Sequence, residues 1–311
     1  MRLQSFLLPL IAHSTIVEFP IVADPYHGLP AVRISMDRMT PRDNHTLPIH
    51  LGRTSNFAAE RDYGNNDPFF NITMEGSGAG TIDSFVVGNR EFFSIPAHLT
   101  RFLGFGVGPS STFINHFGSV SIIQNATSPV MLAARSSQDY FESNCFPGSV
   151  AVARFDFSYP ATIVAHAAFL NEDIPSGSLD SHRIDLANYP YFQTALVLGT
   201  EDVYPRFRQR MIGLGAIPSE YNEVFTNCTG YSPDLDMSVH FTGRTAQDMY
   251  RIIIEGQDYI HHNSTDNTCR VSWTPGRSLF NPLRVPGLNV RYMGHFQGPE
   301  EEYIQFCDSS F

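Results

Sequence analysis

The feature that most constrains this chain is the way its apolar residues fall into short β-branched and aromatic runs, each closed by Gly, Pro, Asn or Ser within a few residues. That punctuation describes a mainly β protein. Strands are expected at residues 47–51, 81–87, 119–123, 150–157, 237–241, 251–255, 289–293 and 303–306. One helix stands out, with Thr200 as N-cap, Glu201 and Asp202 in its first turn, Pro205 early enough to be tolerated and Val203, Phe207 and Met211 at four-residue spacing before Gly213 closes it. A capping-box-like Thr245-x-x-Asp248 competes with the β-branched Ile252-Ile253-Ile254, which favours a strand.

With 311 residues, 42% hydrophobic and 16% charged, the chain can bury one large core or two lobes. No long Pro- or Ser-rich linker divides it. The boundary is expected just past Cys145-Phe146-Pro147-Gly148, which gives lobes at 15–148 and 149–311. Residues 1–14 read as a secretory signal: Met1 and Arg2, an apolar run over 3–11, then Ala12-His13-Ser14. Sequons at Asn44, Asn71, Asn125, Asn227 and Asn263 agree with a secreted glycoprotein, extracellular or in an endomembrane lumen. In such a compartment Cys145, Cys228, Cys269 and Cys307 are expected as two disulfides, with three pairings open.

The net charge is -11, and all 20 basic residues are Arg. Without Lys there is no P-loop, Schiff-base or Ser-Lys chemistry, and the charge balance argues against phosphate-backbone binding, which needs a clustered basic face. Glu75-Gly76-Ser77-Gly78 is not a nucleophile elbow, and Gly104-Phe105-Gly106-Val107-Gly108 is broken as a dinucleotide fingerprint by Pro109. His261-His262 beside a sequon reads as a solvated loop. No cofactor, metal, nucleic-acid or membrane partner is expected.

Taken in order, the strand-turn units resemble the pepsin-like aspartic proteases, most closely the plant nepenthesin-type branch, which includes inactive inhibitor homologues. In the first half, Leu47-Pro48-Ile49-His50-Leu51-Gly52-Arg53-Thr54-Ser55 resembles the Asp-Thr-Gly-Ser loop, with Gly52 on its glycine and His50 on its aspartate. The stretch Glu75-Gly76-Ser77-Gly78 followed by residues 81–88 is similar to the flap hairpin, with Thr73 or Met74 where a substrate-covering Tyr is expected. Phe102-Leu103-Gly104 matches the hydrophobic-hydrophobic-Gly strand that props the first loop. In the second half, Leu196-Val197-Leu198-Gly199-Thr200 resembles the second loop, Gly199 and Thr200 being retained and Val197 standing for the aspartate. The second hydrophobic-hydrophobic-Gly strand is degraded to Leu279-Phe280-Asn281, and the interval from Gly52 to the flap is short.

The resemblance implies a two-lobed, mainly β fold with few short helices and the disulfides Cys228–Cys269 and Cys145–Cys307. Chain entropy sets their stabilisation at about 4 and about 5 kcal/mol at most. It also implies a chain without its catalytic carboxylates. Pepsin-type hydrolysis needs two carboxyls sharing a proton, and each acid-base role is worth roughly 10²- to 10⁴-fold. The expectation is a monomeric, non-catalytic binder that takes a protein or polypeptide in its cleft or on its loops, such as a glycan hydrolase, a protease or a receptor. The alternatives are an active acid endopeptidase recruiting Asp37, Asp83 or Asp180, and a coat glycoprotein that keeps only the fold.

Overall fold

The computed structural model describes residues 16–25, 28–36, 45–51, 57–58, 69–73, 85–88, 101–104, 114, 117–156, 162–174, 182–187, 193–221, 223–228, 231–243, 249–293 and 303–310. The chain is mainly β, as expected. Its spine is one sheet running Ala151–Arg154, Tyr303–Asp308, Leu288–Met293, Ser119–Gln124, Pro129–Ala134, Val17–Ala23, Pro30–Met36, His45–His50, Arg101–Gly104 and Phe57–Ala58. The hairpin Phe69–Thr73 and Phe85–Gly88 branches from Pro30–Met36.

The two halves of the sequence meet inside this sheet, where Leu288–Met293 lies antiparallel to Ser119–Gln124 with Val290 opposite Ile122 and Tyr292 opposite Val120. Side chains alternate across a strand, so these four residues share one face, and all four are fully buried. Phe155 stacks on Tyr292 with ring centroids 6.3 Å apart. The opposite face is a hydrogen-bonded polar layer. Arg291 donates from Nη1 to Gln138 Oε1 at 2.7 Å and Gln305 Oε1 at 2.8 Å, and from Nη2 to the Ser136 carbonyl at 3.0 Å. Asn289 accepts from the Gln124 N–H at 2.8 Å and donates to the Asn144 carbonyl at 2.7 Å. Those bonds are what let buried polar groups sit in a sheet junction without a large desolvation cost.

Three smaller sheets complete the second half. One contains Thr162–Ile163, Ile184–Leu186, Leu279–Phe280, Leu196–Gly199 and Trp273–Thr274; a second contains Ala165–Phe169, Met237–Thr242 and Met249–Ile254; the third contains Ile217–Pro218, Val224–Thr226, Thr268–Val271 and Ile260–Asn263. They close around Phe207, Phe225, Phe241, Phe280 and Tyr259, each fully buried and each contributing about 2–3 kcal/mol by leaving water.

Both implied disulfides are present, Cys145–Cys307 and Cys228–Cys269. The first joins a small apolar cluster with Phe141 and Ile123 beside the junction, and the second pins the third small sheet. Each strand expected from the sequence has an observed counterpart. That at 81–87 is seen as Phe85–Gly88, and residues 81–84 lie outside the described set. The segment after Thr245 is the strand Met249–Ile254.

Two α-helices are described in full: α1, Gln138–Ser143, and α2, Tyr204–Gly213. Helix α1 was not expected; Ser137 caps it by accepting from the Tyr140 N–H at 3.1 Å. Helix α2 starts later than its expected cap at Thr200. Its N-cap is Val203, which makes no side-chain cap bond, and residues 201–203 form a turn. The Thr200 hydroxyl instead donates to the Thr274 carbonyl at 3.3 Å. Glu201 and Asp202 therefore precede the helix and do not serve its first turn.

Candidate functional site

Each half carries the same unusual unit: two arms of a loop with a third strand threaded between them. In the first, Arg101–Gly104 runs parallel to His45–His50 and antiparallel to Phe57–Ala58, with His50 opposite Gly104 and Phe57 opposite Phe102. In the second, Leu279–Phe280 runs parallel to Ile184–Leu186 and antiparallel to Leu196–Gly199. The resemblance places its pair of reacting groups at the loops between such arms, one from each half.

The register fixes which residues stand there. His50 ends the first arm, 3% exposed, opposite the glycine of the threaded strand. In the second unit Leu186 is opposite Phe280, and the next residue, Ala187, donates its N–H to the Phe280 carbonyl at 3.0 Å. Its level is that of Asn281, where the sequence reading looked for a glycine. The counterpart of His50 is therefore Ala187. This corrects the assignment of Val197, which lies opposite Leu279 on the returning arm and is 2% exposed. Asn281 caps a short turn, Pro282–Arg284, by accepting from the Leu283 N–H at 3.2 Å.

The Gly199 that suggested the loop has another reason to be glycine. A Cβ there would sit 2.4 Å from the Gly276 carbonyl oxygen and 2.9 Å from the Ser278 nitrogen. Thr200 follows it, its N–H bonded to the Thr274 carbonyl at 3.0 Å. The carboxylate nearest in sequence to Ala187 is Asp185, and it is already engaged: it accepts from the Thr162 hydroxyl at 2.6 Å and faces Arg277 at 3.6 Å. An imidazole and a methyl group cannot share a proton as two carboxyls do.

Thr73 ends Phe69–Thr73, opposite Ser35, in the hairpin expected for the flap. Gly52, Gly76, Ser77, Gly78 and the alternative acids Asp37, Asp83 and Asp180 lie outside the described residues, as do Asn44 and residues 1–14, where a signal was expected. Asn71 lies in the same hairpin, opposite Val86. Asn227 and Asn263 are exposed, and Asn125 is half-buried at the start of an exposed turn, accepting from the Thr127 and Ser128 N–H groups at 3.0 and 2.9 Å. His261 and His262 are exposed, the latter near the Cys228 carbonyl at 3.2 Å.

Sequence reasoning missed one grouping. His166, His182 and Asp202 each offer a ligand atom, and these atoms all lie within 4.8 Å of one another. The two imidazole rings are 4.1 Å apart, and His166 Nδ1 is 3.6 Å from Asp202 Oδ1. Burial, then the neighbouring His182, Arg206 and His240, lower the His166 pKa to about 4. Burial raises that of Asp202, against the opposing pull of Arg206, His182 and a hydrogen bond from Ser278. The residues come from three separate elements at long spacings, so no short motif announces them.

No family model and no curated protein sequence matches this chain. Solved structures do match its fold. An aspartic proteinase from Irpex lacteus aligns with TM-score 0.62 and 11% identity over 96% of this chain and 98% of its own. Basic 7S globulin from soybean aligns with TM-score 0.61 and 13% identity over 95% and 97%. Conglutin gamma, a basic 7S globulin from lupine seeds, gives 0.60 and 11% over 95% of both chains. The chain thus has the two-lobed pepsin-like fold. Globulins and a proteinase share it at equal distance, so function has to be argued from the chain's own residues.

Proposed function

We propose that this chain is a secreted glycoprotein of the pepsin-like fold that binds a protein or polypeptide partner and does not cleave it. In this reading it is an inactive homologue of the plant nepenthesin-type proteases. The observation that carries it is the matched pair of loop positions: His50 opposite Gly104, and Ala187 at the level of Asn281. Pepsin-type hydrolysis uses a general base and a general acid that share one proton; an aliphatic side chain fills neither role and a single imidazole does not fill both, so rates stay near background. The two disulfides and the accessible asparagines at 227 and 263 support passage through an oxidising, glycosylating compartment.

The test is a fluorogenic peptide panel assayed between pH 2 and 6 with the purified, glycosidase-characterised protein. No turnover is expected, together with a mobility shift on glycosidase treatment. Cleavage that pepstatin blocks would overturn the reading.

A further inference from the structure

We infer that His166, His182 and Asp202 form a binding site for zinc or a chemically similar first-row divalent cation. Two imidazoles and one carboxylate are a donor set that such ions favour, and three protein ligands leave a position for water or an external donor. Tetrahedral coordination at about 2.0–2.1 Å puts ligand atoms about 3.4 Å apart. The 3.6 Å between His166 Nδ1 and Asp202 Oδ1 is close to that edge, and the full set within 4.8 Å needs only small side-chain adjustment.

An independent observation points to a missing partner. His166 Nδ1 is buried and makes no hydrogen bond, although the imidazole is 12% exposed and Asp202 is 28% exposed. A buried ring nitrogen left unbonded costs free energy that a cation at its lone pair would remove.

The surroundings hold the ligands in place. Ser278 hydrogen-bonds Asp202, and Arg183, itself bonded to Asp156, donates to the His182 carbonyl at 2.8 Å. Second-layer contacts of this kind orient metal ligands. His240 is occupied by Ser238 at 2.6 Å. The neighbouring cation, Arg206, is paired with Glu172 and donates to the Ala167 carbonyl at 3.4 Å.

Topology separates this site from the loop positions above. His182 precedes the first arm of the second threaded unit, and Asp202 follows the returning arm. Both therefore lie at the end of the unit opposite the 187–195 loop. The inference does not rest on whether the cleft is catalytic.

The experiment uses the full glycosylated chain after chelator treatment, titrated with ZnCl₂ against a chromophoric chelator. One equivalent per chain is expected, with a rise in Tm on zinc addition. His182→Gln and Asp202→Asn should each weaken binding by about 100-fold or more, beyond the 10–100-fold typical of second-layer changes, while His261→Ala and His262→Ala leave it unchanged. Absence of zinc uptake by the wild type, or wild-type affinity in His182→Gln, would overturn the site. Should either ligand variant lose its fold, X-ray absorption at the zinc edge of the wild-type protein decides: two bonded imidazoles support the assignment, and an all-oxygen shell overturns it.

Discussion

His50 and Ala187 end equivalent arms of two threaded units, one in each half of the chain, and neither carries a carboxyl group. A proton-sharing pair needs an acid on both sides, so restoring one side alone restores nothing. His50→Asp is expected to leave peptide turnover at the wild-type background across pH 2–6, checked with the same fluorogenic panel. Pepstatin-sensitive activity in that single variant would mean that an acid outside the two loop ends supplies the second carboxyl.

Gly199 packs its Cα against the backbone of residues 276–278, with no room for a methyl group. Gly199→Ala should therefore cost about 1–3 kcal/mol, the usual range for overpacking a site whose neighbours are backbone. Urea unfolding would show it as a lower midpoint at unchanged slope.

The disulfides close loops of very different length, with sequence separations of 162 and 41. Replacing the Cys145 and Cys307 pair by Ser should lower stability by up to about 5 kcal/mol, and the Cys228 and Cys269 pair by up to about 4 kcal/mol. Parallel denaturation curves of the two double variants test the order.

Asp258 is half-buried near Glu255 and Asp236, and burial followed by those charges raises its pKa above the usual 3.8. The folded state thus holds the Asp258 proton more tightly than the unfolded state. The charged form costs stability above the folded pKa, and the cost disappears as pH falls through the window down to 3.8. Asp258→Asn should raise Tm at neutral pH, with the gain fading in acid; a gain constant from pH 7 to 3 would contradict this origin.

Much of the sheet was legible because period-2 alternation survives in strands such as 289–293, where Val290 and Tyr292 enter the core and Asn289 and Arg291 the polar layer. The first threaded unit was equally legible, since Phe102-Leu103-Gly104 is a local signal and Gly104 does pair with His50. Its twin was misread by one arm. Gly199-Thr200 looked like a loop because a glycine demanded by close backbone packing is indistinguishable, in one sequence, from a glycine demanded by a turn. The start of α2 failed for a related reason: Thr200 and Asp202 have capping chemistry, yet Thr274 and Ser278 claim them first. Helix α1 escaped because six residues give too little periodicity to set against their surroundings. The cluster of His166, His182 and Asp202 is assembled only by tertiary folding.

The junction strands come from different halves of the polypeptide, and the Gln124 N–H meets its Asn289 acceptor at a sequence separation of 165. During synthesis the Ser119–Gln124 strand must therefore wait, with one edge unpaired, until almost the whole chain has left the ribosome. Contacts so distant along the chain make folding slow, and an unsatisfied strand edge is an invitation to pair with a neighbour. Nascent chains of this protein should depend on chaperones until their last strands are made.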